Sequence, residues 1–438
     1  MAGAQRAYAK ALQISPTAFC AFPFSVVERL FVVEQGVYRE GATLDSAPYF
    51  GRSDIIGDTL AYLARPFRDL QATSLEKLAP AADRALQRNR DALLGILSAL
   101  TQRVPNNADA FEALARVLES RDEITGTPNG GYSALSALDR ARTLASDSTQ
   151  RARLGATDVR LHLKLGDFSR TAAIGDSILN ANPVIRGEGA MHLAGIASLL
   201  GRERATIDYL RASGESVTLQ GAPAVPLLED VSTALFVRAS LGVCDDSLRA
   251  LRAKVETLLE SYVSPGKRDE ARSGILMRPT QFSAACLGAP SSLVLKGTQT
   301  QAMQVMQLLG SGQTERARTL LDSVQRMRRL LRPGEFSLDF TLAEAWMRAA
   351  MGDSAAAARQ LDLTLTALPT LSAYIVYEPG MAASVGRSMV FRAELAARRG
   401  DAGTAALWAS RVLTLWARSD PSLAPTMARM KALAAHRS

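Results

Sequence analysis

Apolar positions along the chain recur at helical rather than strand spacing. Phe111, Leu114, Ala115 and Leu118 stand at i, i+3, i+4 and i+7, which places them on one stripe of an α-helix. The same spacing runs through 229–241 and through Leu248, Leu251, Val255, Leu258 and Leu259. Val37 to Asp58 and Ala212 to Pro226 are rich in Gly, Pro, Ser and Thr and read as loops. Val263 to Gly297 is a further irregular zone, where Pro265-Gly266, Pro279 and Pro290 are expected to interrupt any long helix.

A second regularity is superimposed on the helical one. Gly166-Asp167 is followed by Thr171 at +5 and Pro183 at +17, and Gly352-Asp353 by Ala357 and Pro369 at the same distances. Gly400-Asp401 has Ala405 at +5, Gly312 has Ala317, and Gly201 has Thr206. Glycine can end a helix in the left-handed conformation, and a small residue five positions later lets the next helix return closely along the first. The expected unit is a helical hairpin repeated along the chain.

The segment Pro105 to Leu118 resembles a tetratricopeptide (TPR) repeat: large Phe111, then Leu114 and small Ala115, mark its first helix. Ala134, Leu138 and Ala141 carry the spacing of its second helix, displaced by a Gly/Pro-rich insertion from Thr125 to Gly131. The resemblance implies an all-α fold, an α-α superhelix or solenoid of TPR-like hairpins with degenerate middle repeats. The expected organisation is N-terminal repeats over 1–212, a degenerate helical segment over 213–300 and C-terminal repeats over 301–438. Ala4, Tyr8, Ala11 and Pro16 fit the second helix of a repeat. Residues 1–16 are therefore read as a half-repeat, expected either from a chain cut from a longer one or from a repeat array closed by an atypical cap.

Composition narrows the class. Of 438 residues, 47% are hydrophobic and 21% charged, enough apolar material for a packed core, and only 6% are aromatic. The net charge of +8 comes from seven lysines and 44 arginines against 43 acidic residues. Those arginines are spread along the chain. The one cluster, Arg326, Arg328, Arg329 and Arg332, lies among leucines of a helix, so a nucleic-acid partner is not expected. Ala18 to Val33 is too short and too charged for a membrane span, and Met1 to Leu12 lacks the apolar core of a signal peptide. A cytoplasmic protein without membrane insertion is expected. Cys20, Cys244 and Cys286 are distant and odd in number, which argues against a disulfide framework or a zinc ribbon.

Linear motifs for chemistry are sparse. His162, His192 and His436 are the three histidines, and neither an HExxH nor a GxSxG motif is present. Gly187-Glu188-Gly189 begins a dinucleotide fingerprint, but His192 stands in place of its third glycine. Asp167-Phe168-Ser169 lacks the other parts of a kinase. No catalytic residue, cofactor or metal is assigned. A catalytic centre would have to come from dispersed acids such as Glu229, Asp245, Asp246 and Asp269.

TPR-like repeats line a groove with their first helices, so the resemblance implies partner-binding side chains on them. Carried over repeat by repeat, these are Asp109, Glu112 and Arg116, then Arg153 and Arg160, then Asp339 and Trp346, then Arg387 and Glu394. Asp109 and Glu112 replace the lysine and asparagine with which some members grip a C-terminal carboxylate. The expected function is a noncatalytic scaffold that binds a protein or peptide in the concave groove, with homodimerisation through the exposed half-repeat as a further contact. The alternative is the regulatory or sensory part of a larger bacterial serine/threonine kinase or transcriptional regulator.

Overall fold

A computed structural model describes residues 94–95, 97–98, 101–102, 105–126, 131–181, 185–214, 225–288, 301–328, 338–366, 368 and 373–435. The half-repeat at 1–16, the loop at Val37 to Asp58, Cys20, Pro183, Pro369 and His436 lie outside the described residues. Among those described, every regular element is helical. No helix among them is long and apolar enough to cross a membrane. The chain divides into two compact units, Met1–Leu154 and Gly155–Ser438.

In the first unit, α1 (Ala108–Ser120) begins at Asn107, whose side chain accepts the Ala110 N–H at 2.9 Å. The stripe of Phe111, Leu114, Ala115 and Leu118 is at most 2% exposed. It packs with α2 (Ala134–Leu144), whose Ala134, Ala137, Leu138 and Ala141 are buried. Two features absorb the insertion between them. Asp122 takes the left-handed conformation at φ 65°, and Tyr132 turns back edge-on against Phe111 with ring centroids 5.4 Å apart.

Along the second unit one closure recurs six times. It joins α3 (Ser148–Lys164), which begins in the first unit, to α4 (Phe168–Ala181), α5 (Glu188–Leu199) to α6 (Glu203–Ser213), and α7 (Pro226–Leu241) to α8 (Asp246–Tyr262). It then joins α10 (Gln301–Gly310) to α11 (Thr314–Arg328), α12 (Leu338–Ala350) to α13 (Ser354–Thr366), and α14 (Pro379–Arg398) to α15 (Ala402–Leu415). The turn residues Gly166, Gly201, Gly242, Gly312, Gly352 and Gly400 have φ between 70° and 82°. Each glycine N–H donates to the carbonyl three residues back and the following N–H to the carbonyl five back, as at Gly352 to Ala349 and Asp353 to Arg348. This double bond pattern satisfies the last carbonyls of the first helix. Asp167, Asp353 and Asp401 then cap the second helix, accepting the N–H groups of Arg170, Ala356 and Thr404.

The small residues at +5, Thr171, Thr206, Ala317, Ala357 and Ala405, are at most 2% exposed. Gly242 escaped the sequence pattern because its turn is longer: the cap is Asp245 and the +5 residue, Ser247, is exposed.

α9 (Arg268–Leu287) corrects the expected irregular zone, since it continues for 20 residues through Pro279. The hydrogen bond lost at proline is outweighed by burial of Ile275, Leu276, Pro279, Thr280, Phe282, Ser283 and Ala284 on both sides of it.

The second unit also closes on itself. α14 packs against α5 and α7 as well as against its sequence neighbours, and α15 packs against α4. Gly386 permits this, because a Cβ there would lie 2.3 Å from the Trp416 ring. Pro421–Leu423 forms a short 3-10 turn leading into α16 (Ala424–Ala435), and the Asp420 carboxylate before it accepts the Arg204 N–H at 2.7 Å.

Candidate functional site

The predicted binding residues of the first unit are turned toward one another. Glu112 is fully buried and its carboxylate receives Arg153 Nε at 3.0 and 3.1 Å; Arg153 Nη2 also reaches Asp109 at 2.8 Å. Arg116, only 4% exposed, lies 3.5 Å from Glu112. The structure joins these four residues to one another in one charge cluster. Packing on the α1 stripe buries Glu112, and a buried carboxylate requires cations beside it. Arg160 is likewise buried at 3% exposure. Asp339 lies in the first turn of α12.

The remaining three converge. Trp346 on α12 and Arg387 and Glu394 on α14 line one cavity of about 210 Å³ in the second unit. Arg387, Val390, Phe391 and Glu394 stand at i, i+3, i+4 and i+7, so a single face of α14 forms one wall. Phe282 from α9, and Leu342 and Ala343 from α12, supply apolar surface. Glu394 is held at the other end of the wall by Arg429 Nε at 3.0 Å.

Arg387 is the polar centre of this cavity. Its Nη1 donates to the carbonyls of Ala239 and Ser240 at 3.1 and 3.3 Å, and its Nη2 to Phe282 O at 2.9 Å. Burial lowers its pKa to about 10, which leaves the guanidinium protonated at neutral pH. The three carbonyls end α7 and lie on α9, and a disulfide between Cys244 and Cys286 ties the same two segments with a Cα separation of 5.4 Å. The odd number and wide spacing of the cysteines argued against a disulfide framework, yet this one pair is joined. The hairpin α7–α8 and the return of α9 bring together two residues 42 positions apart, which spacing alone does not reveal.

The other candidates for chemistry are used locally. Asp245 caps α8 and binds Arg238 at 2.7 Å; Asp246 pairs with Arg249 and Asp269 with Arg272. His162 lies 3.5 Å from Asp158, and His192 packs edge-on against Tyr377. Among the described residues no group of three or more His, Cys, Asp or Glu gathers to hold a metal ion. Several arginines instead link successive hairpins: Arg238 reaches Glu203, Arg348 reaches Asp322 and Arg392 reaches Asp362. No protein-family model matches the chain, and no curated protein matches it.

Proposed function

We propose that the chain is a noncatalytic interaction module, a TPR-like α-α solenoid that recognises a protein or peptide partner. The observation that carries this reading is the recurrence of one closure: a left-handed glycine with two backbone bonds, joined in five of the six turns by a buried small residue at +5. Repeats built this way hold surface side chains on rigid helices, so little ordering accompanies binding. Trp346 and Glu394, on first helices of the last two hairpins, are the contact residues this reading retains. The test is crosslinking capture from native lysate with the parent chain and with a folded Trp346→Ala, Glu394→Arg variant, followed by exchange protection of the captured complex. Capture lost in the variant, with protection on α12 and α14, is the expected result. Equal capture by both chains overturns the contact assignment.

A sensory role within a larger signalling protein is a second reading, favoured by one observation. The cavity beside Arg387 is closed on several sides and has the dimensions of a small molecule rather than of a peptide.

A further inference from the structure

We propose that the cavity bounded by α7, α9, α12, α14 and Trp416 binds a small aromatic monocarboxylate, with the carboxylate on Arg387 and the ring against Trp346 and Phe391. This inference does not rest on the interaction reading and stands or falls separately from it.

Charge is the first argument. Among the described residues Arg387 has no carboxylate within ion-pairing distance; its partners are three backbone carbonyls. Arginine carries five N–H donors, so the Nε–H and one Nη2–H are left over. Nε and Nη2 form one of the forked faces with which arginine takes a carboxylate through two parallel hydrogen bonds. Gly242 lies against the guanidinium with no side chain to displace it, since a Cβ at this position would lie 2.8 Å from Arg387 Nε. Because burial lowers the pKa of the cation without neutralising it, an anion entering the cavity removes part of an existing desolvation cost.

Size and wall chemistry define the rest of the ligand. The volume of about 210 Å³ exceeds the roughly 150 Å³ that suffices for benzene in an apolar cavity. It therefore holds one ring with a short acidic arm. Phe282, Leu342, Trp346 and Phe391 present apolar and aromatic surface to that ring. Glu394 and Arg429, both in the lining, offset one another across 3.0 Å, so the lining's remaining charge is the single positive one on Arg387, which matches a monocarboxylate rather than a dianionic phosphate.

The experiment uses the full chain, phenylacetate as probe and phenylacetamide as its neutral isostere, read by titration calorimetry and by tryptophan emission. Phenylacetate is expected to saturate with a dissociation constant of about 1 mM or tighter. The amide is expected to bind about tenfold more weakly or worse, because the fork loses its charged acceptor. Arg387→Met and Trp346→Ala are each expected to weaken phenylacetate by a similar factor. The acid-to-amide comparison is made on the parent protein, so it remains decisive if a variant fails to fold. No saturable binding, equal affinity for acid and amide, or undiminished binding by a folded Arg387→Met chain overturns the proposal.

Discussion

The indole N–H of Trp416 donates to the backbone carbonyl of Leu199 across 3.0 Å, joining residues 217 positions apart in a fully buried contact. It is the fastening point of the second unit. Trp416 lies beneath Gly386 of α14, and Ser198, next to Leu199, donates its hydroxyl to Pro379 O at 2.7 Å. Trp416→Phe is expected to cost about 1–3 kcal/mol, because the Leu199 carbonyl loses a partner in a buried site. Gly386→Ala is expected to cost about 1–3 kcal/mol through overpacking against the same ring. Urea unfolding monitored at helical ellipticity measures both.

Two turn glycines separate backbone strain from crowding. Gly352 has φ 82° with open space around its missing side chain, whereas Gly242 has φ 74° and faces Arg387. Gly352→Ala is expected to lose only the left-handed penalty of about 1–2 kcal/mol. Gly242→Ala adds the displacement of Arg387 and is expected to lower the midpoint of chemical denaturation further.

The disulfide encloses a stretch that includes all of α8. With cysteines 42 positions apart, the chain-entropy relation gives a stabilisation of about 4 kcal/mol. Peptide mapping without reductant is expected to recover Cys244 linked to Cys286. Reduction is expected to shift the unfolding midpoint downward, and Cys244→Ser combined with Cys286→Ser to reproduce that shift without reductant.

Glu112 tests the charge cluster of the first unit. It is fully buried with Arg153 and Arg116 around it, so Glu112→Leu removes the anion that two guanidinium groups share in a low-dielectric site. A loss of about 3–5 kcal/mol is expected. Asp109→Asn, at a more exposed member of the cluster, is expected to cost much less, and denaturant unfolding of the two variants compares them.

Asp245 makes stability depend on acid pH. Burial by itself raises its carboxyl; hydrogen bonds from the Ser247 hydroxyl, the Leu248 N–H and Arg238, with the Arg238 charge, outweigh that and hold it below 3.8. A folded pKa that is depressed contributes stability above the unfolded value and loses it as pH falls through the folded value. The stability gap between the parent and Asp245→Asn is therefore expected to be full near neutral pH and to close below pH 3.8. Midpoints of urea unfolding across that window follow it.

Local and periodic features were legible in the amino-acid order. The helical stripe at Phe111 to Leu118 and the glycine turns with buried residues at +5 depend on contacts within one hairpin, and residue spacing encodes those directly. What spacing does not encode is which side chains oppose one another across distant helices. Trp346, Arg387 and Glu394 were singled out as groove residues, but their meeting at one cavity depends on α12 and α14 packing side by side. Asp109, Glu112, Arg116 and Arg153 carry the same kinds of charge in sequence, yet burial pairs them internally. Gly242 does not show in the glycine pattern because its turn is longer, and Pro279 does not end a helix because tertiary packing overrides a single-residue signal. The sequence by itself thus determined that helices form, where many of them turn and how five of the hairpins close. The tertiary structure alone decided that α14 lies against α5 and α7, that Cys244 meets Cys286 and that Arg387 lines a cavity while bound to three backbone carbonyls. The reason is physical: a helix repeats every 3.6 residues along its own chain, whereas packing between distant helices depends on complementary shape and buried charge that no local period records.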